Sequence, residues 1–238
     1  MKLDILVLAA HPDDAELGCS GTLASHIAKG YKAGVVDFTR GELGTRGTPN
    51  DRENEAKEAA EILGLSVREN LALEDGFFQN TRESQLAVVR AIRKFRPEIV
   101  LANAVSDRHP DHSRGAQLAF DACFLAGLIK VETKNDGELQ QPWRPKAFYH
   151  FLQSQFIEPD FVVNISDYWD VKMRSIKAFK TQFHNPQISE PETYISKPAF
   201  LQMVESRAIE LGHSVGARYG EGFTVARRPG VNSLFDLI

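Results

Sequence analysis

Residues 3–10 read LDILVLAA, broken only by Asp4, and the run ends directly on His-Pro-Asp-Asp at 11–14. A run this continuous, without in–out alternation, marks a strand covered on both faces, and such strands belong to parallel sheets. The run PEIVLANA at 97–104 repeats the pattern and is followed by RHPDH at 108–112. One His-Pro-Asp triplet is ordinary turn chemistry, since Asp caps the helix that follows. Two of them, each past the end of a buried strand, point to one shared site.

The rest of the chain alternates in the same way. GVVDFT (34–39), a short segment near 69–73, Ile99–Ala102, KAFYHFL (146–152) and FVVNIS (161–166) read as further strands. Helices are expected over 20–29, with Leu23, Ile27 and Ala28 at helical spacing before Gly30, and over 51–64, with Asp51 as N-cap and Gly64 as stop. Others are expected over 82–95, 113–128, 168–182 and 197–211, while 130–145 reads as an exposed loop. The pattern predicts an α/β chain: a Rossmann-like three-layer fold with a mostly parallel sheet, one domain over 1–238. In a 3-2-1-4-5 strand order the two triplets flank the point where the order reverses, which is where open sheets bind ligands.

Composition narrows the partners. Of the 238 residues, 42% are hydrophobic and 25% charged, as in ordinary globular proteins. A net charge of −4 and an isoelectric point near 6.0, without a basic stripe, argue against nucleic acid. No apolar run reaches the roughly 18 residues needed for a membrane span. The N-terminus feeds straight into the first triplet and reads as a strand, with no targeting segment. Two cysteines without a spacing pattern, Cys19 and Cys123, fit a reducing compartment, so a cytoplasmic location is expected.

If the triplets converge, His11, Asp13, Asp14, His109, Asp111 and His112 meet in one crevice. Imidazole and carboxylate donors without thiolate suit Zn²⁺, Fe²⁺ or a similar divalent ion. Three protein ligands complete a typical catalytic zinc site, which leaves the other groups for proton transfer.

AHPDDAELGCSGTLA, TRGELGTRGT (39–48), RHPDH and the late ESRAIELGHSVGARYGEGF together resemble the LmbE-like (PIG-L) family of metal-dependent N-acetylglucosamine deacetylases. Within it the chain looks most like the bacillithiol-pathway branch that acts on N-acetylglucosaminyl-malate. The resemblance implies that His11, Asp14 and His112 bind zinc, with Fe²⁺ as an alternative native metal. It implies Asp13 as general base, and His109, oriented by Asp111, as acid or oxyanion partner. It also implies a small-molecule N-acetylglucosamine conjugate as substrate and a homo-oligomer, a hexamer in this branch. Two other readings stay open: a deacylase of another N-acyl sugar or thiol conjugate, and a non-catalytic sugar- or nucleotide-binding module.

The glycine-rich segment 39–48 lacks the order and lysine of a phosphate-binding loop and reads as a substrate-lining or plain turn. Arg52 either lies on a solvated helix face or faces substrate, as an arginine does in the family. Arg108 either reaches a substrate carboxylate or makes a surface ion pair. Tyr194 either covers the site or packs its loop, and Arg144 is a candidate to reach a neighbouring subunit. His26, His150, His184 and His213 have no ligand-spaced partner and read as structural or exposed. Cys19 and Cys123 read as small core residues, and Phe77–Phe78 as loop packing.

Overall fold

The two apolar runs become neighbours in the computed structural model, which describes residues 1–187 and 189–237. The strands are β1 (Ile5–Ala9), β2 (Ala33–Thr39), β3 (Val67–Leu73), β4 (Ile99–Ala102), β5 (Lys134–Asn135), β6 (Glu138–Leu139), β7 (Ala147–Phe151), β8 (Phe161–Asn164) and β9 (Gly220–Val225). The helices are α1 (Asp14–Ala28), α2 (Pro49–Leu63), α3 (Arg82–Phe95), α4 (Pro110–Ala126), α5 (Trp169–Lys177) and α6 (Pro198–Ser214). Seven strands form one sheet of order β3-β2-β1-β4-β7-β9-β8. The pairs from β3 to β7 are parallel, and β9 runs antiparallel to both β7 and β8. β1 and β4 pair in register from Ile5↔Ile99 to Leu8↔Ala102, so the strand order reverses between them, where the sequence places both triplets.

Every residue of β1 is buried because helices cover both faces. Ile5, Val7 and Ala9 pack with Ala15, Cys19 and Leu23 of α1. Leu6 and Leu8 pack on the other side with Val88 and Ile92 of α3 and Leu118 of α4. Fully buried leucines of this kind contribute roughly 1.5–3 kcal/mol each. Cys19 and Cys123 sit in these two clusters as small core residues with free thiols.

Several element limits differ from the sequence expectation, each for a physical reason. Helix α1 begins at Asp14, six residues before position 20, although Gly18, Ser20 and Gly21 weaken its intrinsic propensity. Packing overrides propensity here: a Cβ on Gly18 would lie 2.1 Å from the ring of buried Phe151 on β7. Asp51 is not the N-cap of α2. Thr48 is, and Asp51 closes the reciprocal capping box from the third position. Helix α5 stops at Lys177, and the segment 130–145 carries the small β5–β6 hairpin within its loop. Strand β9 has no counterpart in the sequence reading because Gly220 and Gly222 depress strand propensity. Among the described residues, no helix is long and apolar enough to cross a membrane.

Candidate metal and catalytic centre

The loop from β1 into α1 delivers the first triplet. Asp13 is the N-cap of α1 and takes φ 110° and ψ −22°, a left-handed conformation that non-glycine residues seldom hold. This turn sends consecutive aspartates to different partners. Asp14 accepts from the backbone N–H of His11 at 2.9 Å and from Asn103 Nδ2 at 2.9 Å, both on Oδ2, and from Gln153 Nε2 on Oδ1 at 2.9 Å. Asp13 instead faces Arg52, whose Nη2 is 3.4 Å from Oδ2.

The second triplet arrives at the start of α4. His109 is the N-cap, and its Nδ1 accepts from the Asp111 backbone N–H at 3.2 Å. That bond leaves the proton of neutral His109 on Nε2. His112 Nε2 lies 3.1 Å from Asp14 Oδ1, and His11 Nδ1 lies 3.4 Å from Asp14 Oδ2. The ring of His109 stacks on His112 at 5.1 Å and meets the edge of His11 at 4.7 Å. The two triplets therefore do converge.

Each imidazole facing Asp14 is held from behind by carboxylates. Asp107 Oδ2 takes His112 Nδ1 at 2.6 Å, and His11 Nε2 is 3.1 Å from Asp75 Oδ1 and 3.3 Å from Asp111 Oδ2. Carboxylates in this position fix the tautomer and raise the basicity of ligand histidines. The expectation that Asp111 stands behind His109 is corrected: its carboxylate sits behind His11 instead. Its Oδ2 also accepts from Gly76 N–H at 2.8 Å and its Oδ1 from Arg114 at 2.6 Å, which turns it away from the His109 ring.

The field at the centre is strongly negative. Burial opposes charge on His11, yet hydrogen bonds to Asp111, Asp14 and Asp75 raise its pKa well above the ordinary value. Burial likewise opposes charge on His112, but Asp14 and Asp107 push it up to about 9. Asp14 stays well below the usual carboxylate range despite its burial, because His112 and His11 face it. His109 moves the other way, lowered by burial and by the two neighbouring imidazoles. Asp13 is raised to about 7, chiefly by burial, with Arg52 pulling it back.

This donor set fits a divalent cation. Two imidazoles with outer nitrogens held by carboxylates turn their inner nitrogens toward Asp14, an oxygen donor fixed by three hydrogen bonds. Among the described residues, two groups have ligand atoms within 4.8 Å of one another, both containing His11: His11 with His109 and His112, and His11 with Asp75 and Asp111.

The model of the PIG-L family, described as GlcNAc-PI de-N-acetylase, matches residues 6–123, which include both triplets. The uncharacterized deacetylase YaiS of Escherichia coli is 34% identical, over 74% of this chain and 90% of its own length. The chain belongs to the PIG-L family. A diacetylchitobiose deacetylase of Thermococcus kodakarensis is 29% identical, over 92% of this chain and 81% of its own. The conserved protein TT1542 of Thermus thermophilus has the same fold, with a TM-score of 0.87, 36% identity and 98% of each chain covered. Two other relatives are named for different substrates or reactions. A probable N-acetyl-α-D-glucosaminyl L-malate deacetylase 2 of Bacillus subtilis is 26% identical, over 76% of this chain and 84% of its own. A 4-oxalmesaconate hydratase of Pseudomonas putida is 29% identical, over 75% and 74%.

Around the PIG-L centre opens a cleft of about 390 Å³. Arg52 is buried and not on a solvated helix face. It donates to the carbonyls of Pro12 and Gly41, and its Nε is left without a partner. Gly41 allows this approach, since a Cβ there would lie 2.0 Å from the guanidinium. Arg108 and Tyr194 stack at the mouth, with the guanidinium carbon 4.4 Å from the ring centroid, and among the described residues Arg108 makes no ion pair. The glycine-rich loop supplies Leu43, Gly44 and Thr45 to the lining, and Leu43 N–H and Glu42 Oε1 hold Asp75. Arg144 lies apart, against Phe124 and Gly127. His150 is buried on the Asn103 carbonyl, and His26 bonds the Thr22 carbonyl.

Sequence reasoning missed Asp75, Asn103, Asp107 and Gln153. Asn103 and Asp107 were accessible in principle, since both stand between β4 and the second triplet. Asp75 and Gln153 carry no local signal.

Proposed function

We propose that the chain is a metal-dependent N-deacetylase that hydrolyses the acetamide of an N-acetylglucosamine conjugate. The observation that carries this reading is Asp13, a buried carboxylate with a pKa near neutrality, beside a separate Asp14–His11–His112 donor set. A pure binding module has no use for a base poised in this way. Among the relatives, the diacetylchitobiose and malate deacetylases bear names of this reaction.

His11, Asp14 and His112 would hold the ion, Zn²⁺ or Fe²⁺ by donor chemistry. When bound, such an ion polarises a carbonyl oxygen and makes a nearby water more acidic. Asp13 takes a proton from the attacking water, and Arg52 keeps its carboxylate aimed and partly ionised. Neutral His109 offers Nε2–H to the carbonyl oxygen as negative charge grows there, as a hydrogen-bond donor and not as a cation. As the C–N bond breaks, the proton held on Asp13 passes to the leaving nitrogen. Asp111 acts one step back, through His11.

The malate conjugate is the finer proposal. Arg108, exposed at the mouth and among the described residues without an acidic partner, suits a carboxylated aglycone, with Tyr194 holding its guanidinium flat. Arg52 faces Asp13 and the Pro12 carbonyl, so the aglycone carboxylate is assigned to Arg108 first. The test is acetate release by metal-loaded protein from N-acetylglucosamine glycosides, the malate conjugate included. Turnover of several glycosides with preference for the malate one supports both levels. Turnover without that preference removes malate, and no acetate from any glycoside removes the deacetylase reading.

A further inference from the structure

The cleft lining has a second, largely apolar part outside the two triplets, called its second arm below. It takes in Leu17 and Gly18 of α1, Leu152 and one face of α6. Phe200, Met203, Val204, Ala208 and Leu211 line it at helical spacing, so the α6 wall extends about 16 Å at ~1.5 Å per residue. An acetyl group places a single methyl beyond its carbonyl and reaches only the first part of such a wall.

Lys172 and Glu221, which also line this arm, are engaged by each other and by backbone. Lys172 Nζ donates to the carbonyls of Glu16 at 3.0 Å and Leu17 at 2.7 Å, and to Glu221 Oε1 at 2.7 Å. Glu221 also accepts from the N–H groups of Gly21 at 3.0 Å and Thr22 at 2.7 Å. Arg207, on the same face of α6, donates from Nη1 and Nη2 to the carbonyls of Gln153 and Ser154. With the lysine protons and these guanidinium groups engaged, the α6 wall offers a ligand mainly apolar surface. The mouth is the reverse, with the Arg108 guanidinium and the Tyr194 hydroxyl. An N-acylated amino sugar has the same polarity, a polyol on the nitrogen side and alkyl on the carbonyl side.

We propose that this arm takes the alkyl chain of the scissile acyl group, and that the enzyme prefers N-acyl glucosamines of four to six carbons over N-acetyl. The proposal rests on the deacylase reading of the centre but concerns the α6 wall alone. Burial of each methylene favours binding by about four-fold, from ~0.8 kcal/mol per group. Partial burial of the four methylenes that distinguish hexanoyl from acetyl therefore gives a preference of about ten-fold or more.

Binding is measured by calorimetry of N-acetyl-, N-butanoyl- and N-hexanoyl-glucosamine to the metal-loaded Asp13→Asn chain, and turnover by amine release with the wild type. Expected are affinity rising with chain length and a matching rise in kcat/KM. Val204→Phe should lower the hexanoyl-to-acetyl ratio about five-fold or more by filling the arm, and Met203→Phe serves if that variant does not fold. Equal affinity for acetyl and hexanoyl, undetectable binding of both, or ratios unmoved in folded variants overturn the proposal. Tighter hexanoyl binding with no hydrolysis of any member keeps the arm and removes the deacylase reading.

Discussion

Replacing Lys172 by Met tests how α1 is anchored behind the catalytic loop. Lys172 is 2% exposed, and its ammonium sits where Leu17 C=O and Gly21 N–H, partners in a helical ladder, face the α5 and β9 side chains. Methionine fills most of the volume but removes three donors. Glu221, 4% exposed, keeps two backbone donors and loses its countercharge. Breaking a buried pair by removing one partner costs about 3–5 kcal/mol, because the remaining charge is left uncompensated. At about 2–4 °C per kcal/mol for a chain of this size, Tm should fall by roughly 6–20 °C. The double variant Lys172→Met/Glu221→Gln removes both charges, so its loss should be less than the sum of the singles by about 0.5–3 kcal/mol. Thermal unfolding followed by circular dichroism, with chelator in every sample, keeps metal linkage out of the comparison. A Tm change below about 2 °C for Lys172→Met, or strict additivity in the double variant, refutes the reasoning.

Asp13→Asn should retain its metal while kcat falls by about 10²–10⁴, whereas Asp14→Asn should lose metal and recover partly with excess zinc; metal content and kcat of both variants decide the assignment. Asp107→Ala should weaken metal affinity by about 10–100-fold by releasing His112 Nδ1, read by competition with a chromogenic chelator, and full affinity would remove Asp107 from the site. A base active as carboxylate loses rate as pH falls through its pKa, so kcat/KM should drop on the acid side with Asp13. Because Arg52 holds that pKa down, Arg52→Met should move the acid limb to higher pH; an unmoved or lowered limb contradicts the pairing.

The parts of the fold that could be read from sequence are those whose signal is local and redundant. The β1 and β4 runs, the 82–95 helix and the two triplets each combine composition with position, and their convergence followed from strand order alone. The failures have a common cause in tertiary contact. Helix α1 tolerates Gly18 because Phe151 leaves no room for a side chain, and β9 pairs despite its glycines because β7 and β8 flank it. Asp111 points to His11 and not to His109 because Gly76 and Arg114 pull its two oxygens away. No periodicity carries such information. Asp75 and Gln153 reach the centre from segments unrelated in sequence to either triplet, so only the folded chain reveals them.

The donors of the centre come from two loops that are about a hundred residues apart in the chain, a span whose closure costs entropy in any unfolded state. An ion held by the proposed set would join His11 and Asp14 to His112 only after β1 and β4 have paired, and would act as a clip on that pairing. Metal held at a hundred times its dissociation constant would deepen the native basin by about 2.7 kcal/mol. A change of that size lowers the fraction of open chains by about a hundred-fold, and proteases act on the open chains. On the proposed metal site, the cellular lifetime of this protein should thus follow the supply of divalent metal.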